Sequence, residues 1–313
     1  MENVVVVKNL EKSYDTKKAV DGISFAVKKG EILGFLGPNG AGKSTIINIL
    51  ATLLSADKGE ITILGYDLKK DVRNIKYGIG VVPQEIAIYE EISAEKNVSF
   101  FASLYNIKGK QLQDKVREAL ELVGLYDKKD QKPKTFSGGM KRRLNIACGI
   151  VHQPQIIIMD EPTVGIDPQS RNHILESIKI LKQKGATVIY STHYMEEVEA
   201  ISDRIIILNE GKVIAEGTKE ELNKIVNDEV TYSFNVQNLS NLKEEQFSKI
   251  SGVKKVKISE DNTIEISTEK LKDNLNEIIM VITTNQCKIE NMSRTEASLE
   301  TTFLELTGRT LRD

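Results

Sequence analysis

The strongest restriction on the fold lies in residues 37–45, which fit the phosphate-loop pattern of Gly, four residues, then Gly-Lys-Ser or Gly-Lys-Thr. The residues concerned are Gly37, Pro38, Asn39, Gly40, Ala41, Gly42, Lys43, Ser44 and Thr45. The apolar run 32–36 before them predicts a buried strand. After them, apolar residues at helical spacing predict a helix: Ile46, Ile47, Ile49, Leu50 and Leu53. A strand, a glycine turn and a helix are the context that this motif requires.

The chemistry of such a loop comes from its backbone. Glycines can adopt positive φ and carry no side chain that would block a phosphate, so the N–H groups can point inward around an anion. A helix that starts near Gly42 adds the positive end of its dipole. Lys43 would supply a point charge for the β- and γ-phosphates, and Ser44 a hydroxyl for Mg²⁺. The alternative is an ordinary glycine-rich turn that caps a helix.

Length, charge and cysteine content narrow the class of protein. A chain of 313 residues predicts about two domains, and a net charge of -2 with pI ≈ 6.1 gives no basic footprint for nucleic acid. Cys148 and Cys287 show no paired or metal-type spacing and are expected to be small buried apolar residues in a reducing compartment. We expect no signal peptide, because the N-terminus lacks a basic region followed by an apolar one, and no spanning helix, because no apolar run approaches about 18 residues. A membrane role would therefore come through a partner.

Polar residues follow several strand-like runs at the point where each run ends. Asp160 and Glu161 follow the continuous apolar run 156–159, Gln84 comes soon after run 79–82, and His193 follows run 187–190. Ligands of open parallel sheets bind at the carboxyl ends of the strands. There Asp160 can hold Mg²⁺ and Glu161 can polarise a water as general base. Taken singly, Gln84 fits a solvated loop and His193 a structural role.

Residues 94–150 have a helical pattern without interleaved strands, which predicts a helical subdomain inserted into the α/β core. The segment 136–140, Phe-Ser-Gly-Gly-Met, then precedes an amphipathic helix. Ser137 is a candidate N-cap, and Gly138 and Gly139 leave the helix start open to a second anion. A plain capped helix start is the alternative.

The remaining β-type runs of this half predict a sheet patch and a closing hairpin. Runs at 4–7 and 19–25 predict an antiparallel patch beside the phosphate loop, and Tyr14 between them could stack on a nucleotide base or simply lie on the sheet surface. Residues 204–208 and 212–215, joined by Asn-Glu-Gly, predict a hairpin.

Taken together, residues 1–222 resemble an ATP-binding-cassette (ABC) ATPase, the nucleotide-binding subunit of a transporter. The resemblance rests on elements that occur in the order of the family. It implies that Ser137, Gly138 and Gly139 form the signature that binds ATP across a dimer, with Asp167 in the dimer-contact loop. It also implies roles for the other motif residues: adenine stacking for Tyr14, phosphate binding for residues 37–45, a metal- and permease-linked glutamine at Gln84, the Mg²⁺ aspartate at Asp160, the catalytic glutamate at Glu161 and the switch histidine at His193.

The resemblance further implies a mechanism and partners. Two subunits stack head to tail around two ATP molecules with Mg²⁺, and hydrolysis separates them and drives a separate permease. The protein is then cytoplasmic and peripheral on the inner face of the cell membrane. One departure is that Met140 stands where the family commonly has Gln. Because Ser137 and the two glycines make the phosphate contacts, the ATP sandwich is expected to survive this change.

Residues 226–313 predict a small accessory domain. The pattern βαββαβ, with a hairpin turn at 260–262, suggests a ferredoxin-like unit. A final amphipathic helix would carry Leu299, Phe303, Leu304 and Leu306. Residues 298–309 resemble the tail of ABC-2-type exporter ATPases, the drug-resistance and antibiotic-export branch, whose tails support dimer or permease contacts. A tail helix that packs on its own domain is the alternative.

Two other functions compete with a transport ATPase. A soluble ABC ATPase that acts mechanically on nucleic acid or ribosomes usually has two cassettes or a long coiled coil, whereas this sequence has one phosphate loop, no long heptad run and no basic stripe. A phosphate-loop kinase would leave residues 137–139 unexplained. We therefore expect no nucleic-acid partner.

Overall fold

The structure is a computed structural model that describes residues 2–226, 229–259, 262–269, 272–296 and 303. The chain divides into two compact units, and the boundary along the chain lies between Lys219 and Glu220. Among the described residues, no helix combines the length and the apolar character needed to cross a bilayer.

The first unit begins with the predicted antiparallel patch, a sheet in the order β2-β1-β4-β5. Its strands are β1 (Asn3–Tyr14), β2 (Lys17–Lys28), β4 (Lys58–Ile63) and β5 (Tyr66–Asp67). Every neighbouring pair is antiparallel. Val5, Val7 and Leu10 of β1 are fully buried, whereas Lys8 and Asn9 are exposed, as expected for a sheet with one face on the core.

The second sheet of this unit carries the predicted α/β core in the order β10-β9-β3-β8-β7-β6. Its strands are β3 (Ile32–Leu36), β6 (Ile79–Val82), β7 (Ile156–Asp160), β8 (Thr187–Thr192), β9 (Arg204–Asn209) and β10 (Lys212–Gly217). All pairs are parallel except the predicted hairpin β9–β10. Ile156 and Ile158 of β7 join one hydrophobic core, whereas Ile157 and Met159 join the other. Both faces of the sheet are therefore covered, which explains the uninterrupted apolar run.

The helices of this unit are α1 (Lys43–Leu50), α2 (Val72–Gly78), α3 (Ala94–Ser103), α4 (Gly109–Leu122), α5 (Gly138–Ile150), α6 (Pro168–Gln183) and α7 (Met195–Ile201), and α8 (Lys219–Val226) begins at the boundary along the chain and lies otherwise in the second unit. Helices α3, α4 and α5 form the predicted helical insertion, and Val98, Val116, Leu120 and Leu144 are buried in the core that they share with one face of the sheet.

One helical expectation is wrong. Leu53 was expected on the apolar face of the first helix, but α1 ends at Leu50 and the side chain of Leu53 is 66% exposed. Thr52 adopts φ 62, and a residue in this left-handed region ends a helix. The apolar spacing continues in the sequence after the backbone has left the helix.

The second unit contains β11 (Glu229–Gln237), α9 (Glu244–Phe247), β12 (Val253–Ile258), β13 (Thr263–Glu269), α10 (Leu275–Thr284) and β14 (Lys288–Glu296). Its antiparallel sheet has the order β12-β13-β11-β14. This order, together with the succession βαββαβ, confirms the ferredoxin-like expectation. The core includes Phe234, Phe247, Ile264 and Ile278. The predicted tail helix lies outside the described residues except for Phe303, which is buried, and so do residues 260 and 261 of the expected hairpin turn.

Candidate active site

The phosphate loop connects β3 to α1 in a conformation that requires glycine at several positions. Gly40 and Gly42 have φ 79 and φ 104, and Gly42 is the N-cap residue of α1. A Cβ at Gly42 would overlap the carbonyl oxygen of Ala19, and one at Gly37 would overlap that of Leu208. Since the backbone is packed this closely from the outside, only glycine permits the turn.

Lys43 lies at the first position of α1 with its ammonium group buried. Its Nζ donates to the carbonyl oxygens of Gly37 at 2.7 Å and Pro38 at 3.0 Å, and forms an ion pair with Glu161 Oε1 at 3.2 Å. Burial lowers the pKa of Lys43, while the carboxylates of Glu161 and Asp160 oppose this shift. A buried ammonium that already faces oxygen atoms on several sides can bind phosphate oxygens in the same way.

Asp160, the last residue of β7, lies next to the predicted magnesium hydroxyl. Its Oδ1 accepts hydrogen bonds from Ser44 Oγ at 3.2 Å and from Ser191 Oγ at 2.7 Å. The structure thus brings together Ser44 and Asp160, which are 116 positions apart in the sequence. Hydroxyl and carboxylate oxygens are the donors that Mg²⁺ prefers, usually with phosphate oxygens completing the set.

Glu161 has the unusual backbone of a strained functional residue, with φ 43. Its N–H group donates to Ser191 Oγ at 3.0 Å, and its carboxylate is almost fully buried. Oε1 faces Lys43, and Oε2 lies 3.2 Å from His193 Nδ1. The predicted glutamate and histidine are therefore in direct contact at the carboxyl ends of neighbouring strands.

A pocket opens beside the phosphate loop, and Tyr14, Lys17, Asn39, Lys43, Ser44, Thr45, Gln84 and Glu161 are among its lining residues. Tyr14 is half-exposed at this pocket, with Lys12 Nζ 5.9 Å from the ring centroid. Gln84 is exposed, and its backbone carbonyl accepts a hydrogen bond from Arg142 Nη2 at 2.6 Å. The structure thus places Tyr14 and Gln84 at the same opening as Lys43.

The predicted signature residues form a separate cluster of the same chain. Ser137 caps α5, because its Oγ accepts from the N–H group of Met140 at 3.3 Å. Asp167 caps α6 by accepting from the N–H group of Ser170 at 2.9 Å. A Cβ at Gly139 would overlap the side chain of Ser170 and lie 3.1 Å from Asp167 Oδ2, so the two caps are adjacent. Neither cap, nor Gly138, lines the phosphate-loop pocket.

The structure adds residues to the site that were not predicted from the sequence. Ser191 bonds both Asp160 and Glu161, and Arg142 holds the backbone at Gln84. Position offers a weak signal for Ser191, which lies at the end of β8 two residues before His193. For Arg142 no signal is visible, because a cation on an amphipathic helix is ordinarily solvated.

Comparison with known proteins identifies the family of the chain. The family model "ABC transporter" matches residues 20–164. A "Linearmycin resistance ATP-binding protein" of Bacillus subtilis is 43% identical over 97% of this chain and 98% of its own length. A "Nod factor export ATP-binding protein" of Rhizobium sp. is 39% identical over 68% of this chain and 70% of its own length. A solved dimeric ATP-binding cassette in a post-hydrolysis state, bound to ADP and Pi, matches with a TM-score of 0.63 and 28% identity over 68% of this chain and 98% of that chain.

The fold and these matches define an ATP-binding cassette. The chain belongs to the ABC transporter family as an ATP-binding subunit, and its activity is that of an ATPase.

Proposed function

We propose that this chain is the ATP-hydrolysing motor subunit of an ABC-2-type exporter of the drug-resistance branch, and that two copies drive a separate transmembrane permease. One observation carries the proposal: the similarity to the linearmycin-resistance protein extends over 97% of the chain and so includes the second unit as well as the cassette. The relative named for Nod factor export supports the same direction of transport.

In this proposal, ATP binds at the pocket beside the phosphate loop. The residues 37–45 and the ammonium of Lys43 surround the phosphates, and Tyr14 stacks on the base. Ser44, Asp160 and Gln84 fit Mg²⁺, since Ser44 and Gln84 line the pocket with a hydroxyl and an amide oxygen, and the carboxylate of Asp160 is hydrogen-bonded to Ser44. When bound, Mg²⁺ neutralises charge on the phosphate oxygens.

Hydrolysis in this proposal depends on Glu161 and His193. Glu161 accepts a proton from the attacking water as general base. This role requires its carboxylate to lie close to the phosphates. The contact of Oε2 with His193 orients this carboxylate, and the contact of Oε1 with Lys43 places it beside the phosphate-binding ammonium.

The second half of each ATP site would come from the partner copy. The N-terminus of α5 offers N–H groups and a helix dipole, and a Cβ at Gly138 would meet nothing within 4 Å, so an anion can approach this end. Asp167 lies beside the same helix start. A γ-phosphate bound by Lys43 of one copy would thus meet Ser137, Gly138 and Gly139 of the other.

The permease is proposed to hold the subunit at the inner face of the cell membrane. Ile86 and Tyr89, which follow Gln84 closely in the sequence, and Phe100, whose ring centroid lies 5.2 Å from that of Tyr89, are large, apolar and exposed, which suits a protein contact. Action on nucleic acid or ribosomes is not favoured, because the relatives are named for resistance and export.

The proposal is tested by co-expression with a candidate permease. We expect the chain to sediment with membranes only when the permease is present, and the Glu161→Gln variant with saturating ATP to form dimers. Lys43→Ala serves as the control, because it should lose ATP binding and with it the dimer. If Glu161→Gln stays monomeric at saturating ATP even beside the permease, the proposed mechanism is wrong; binding to RNA or ribosomes instead would favour the alternative.

A further inference from the structure

Glu197 is a buried acidic residue that has no role in the site described above. It lies on α7, four residues after His193, and is 1% exposed. Its Oε2 accepts hydrogen bonds from Thr192 Oγ1 at 2.7 Å and Tyr190 Oη at 2.8 Å, and its Oε1 lies 3.4 Å from Arg171 Nε. Burying a carboxylate is costly unless it is paired and hydrogen-bonded, and Glu197 is both: two hydroxyl groups bond one of its oxygens and Arg171 pairs with the other.

The first partner, Thr192, ties Glu197 to the backbone on both sides of His193. Thr192 immediately precedes His193 and donates its hydroxyl proton to Glu197. The same Oγ1 accepts a hydrogen bond from the N–H group of Tyr194 at 2.9 Å. The hydroxyl group of Thr192 therefore connects the backbone around His193 to the carboxylate of Glu197.

The second partner, Tyr190, extends the network to the loop that carries Glu161. Its Oη lies 3.3 Å from Oγ1 of Thr163, two residues after Glu161, and both side chains are fully buried. Burial and then the charge of Glu197 raise the pKa of Tyr190 well above its usual value, so the hydroxyl keeps its proton and donates it to Glu197.

We propose that Glu197 is a positioning residue for hydrolysis: through Tyr190 and Thr192 it sets the geometry of the Glu161–His193 pair. This inference rests on the proposed roles of those two residues. The network also reaches α6, because the guanidinium group of Arg171 pairs with Glu197 and lies over the Tyr194 ring at 4.7 Å. A displacement of about 1 Å in such a pair can lower a rate about a hundredfold.

The test compares steady-state ATP hydrolysis by the full chain and its variants, with Mg²⁺ present. Glu197→Ala is expected to lower kcat about tenfold to a hundredfold with KM for ATP changed by less than about twofold. Glu197→Gln should retain more activity than Glu197→Ala, because its amide oxygen can still accept from both hydroxyls. A residue needed only for folding would lower the active fraction, counted by nucleotide binding, and leave kcat per active site unchanged.

Two further variants keep the test decisive if Glu197→Ala fails to fold. Tyr190→Phe keeps the packing and removes the bridge between Glu197 and Thr163, and it should lower kcat about tenfold at constant KM. Glu31→Gln is the matched control, since Glu31 is also buried and paired with Arg204 at 2.7 Å but precedes β3, at the end of the strand away from the phosphate loop. Its kcat should match the parent.

The outcomes separate this inference from the proposed function. If Glu161→Gln is as active as the parent, the proposed function fails whatever Glu197 does. If Glu161→Gln is inactive while folded Tyr190→Phe and Glu197→Gln both keep the parental kcat, the positioning role alone is overturned. The same conclusion follows if the folded variants raise KM and leave kcat unchanged.

Discussion

Replacing Glu161 by Gln tests the central contact of the site with little change in volume. The substitution removes the negative charge that lies 3.2 Å from Lys43 Nζ and 3.2 Å from His193 Nδ1. Loss of a general base lowers turnover by about 10²–10⁴-fold, equivalent to about 3–5 kcal/mol of barrier at 1.36 kcal/mol per tenfold. ATP binding should persist or tighten, because the carboxylate no longer competes with phosphate oxygens for the Lys43 ammonium.

The assays measure these two effects separately. Phosphate release in a single turnover reports the chemical step, titration with a fluorescent ATP analogue reports binding, and light scattering with ATP reports dimer formation. Glu31→Gln again serves as a control for the loss of a buried carboxylate elsewhere. Parental turnover in Glu161→Gln would refute the general-base role, and loss of ATP binding would refute the inferred competition at Lys43.

Three further predictions concern stability, each measured by urea unfolding. Burial lowers the pKa of His152 to about 4, whereas in the unfolded chain this residue takes up its proton near pH 6.5. The free energy of unfolding should therefore fall by about 2 kcal/mol from pH 7 to pH 5. If the free energy of unfolding of a His152→Phe variant falls as much over this range, the prediction is wrong. Arg142→Met leaves the Gln84 carbonyl without its donor and should lower the free energy of unfolding by about 1–3 kcal/mol. An unchanged free energy of unfolding would argue against that hydrogen bond. The added methyl group of Gly139→Ala overlaps Ser170 and should lower the free energy of unfolding by about 1–3 kcal/mol. A second substitution, Ser170→Gly, should restore it; if it does not, the overlap is not the cause.

The parts of the site that could be predicted from sequence are those with a local pattern. The phosphate loop combines fixed spacing with flanking strand and helix signals, and Asp160 and Glu161 follow directly on a buried run. Each of these features lies within about ten consecutive residues. Their positions in the structure agree with the expectation because parallel strands place such endings at one edge of the sheet.

The network around Glu197 could not be predicted, because its physical basis is pairing between distant residues. Within it, Thr163 and Tyr190 are 27 positions apart. The separate contact between Arg142 and Gln84, which the sequence also does not reveal, joins residues 58 positions apart. An acidic residue on a short amphipathic helix is usually solvated, and only the tertiary structure reveals that Glu197 is enclosed. The error at Leu53 has the opposite cause, since a real apolar pattern continues past a backbone that Thr52 has already turned.

In the proposed mechanism, the strand order would link hydrolysis to a movement of α5. Strands β3, β8, β7 and β6 are successive neighbours about 4.8 Å apart, and Lys43, His193, Glu161 and Gln84 follow them, in that order, in the sequence. The first three are joined to one another by direct contacts. Gln84 differs, because its backbone is held by Arg142 of α5, the helix that begins at the signature. A displacement of α5 would therefore move Gln84 relative to a site whose other members stay fixed by the sheet.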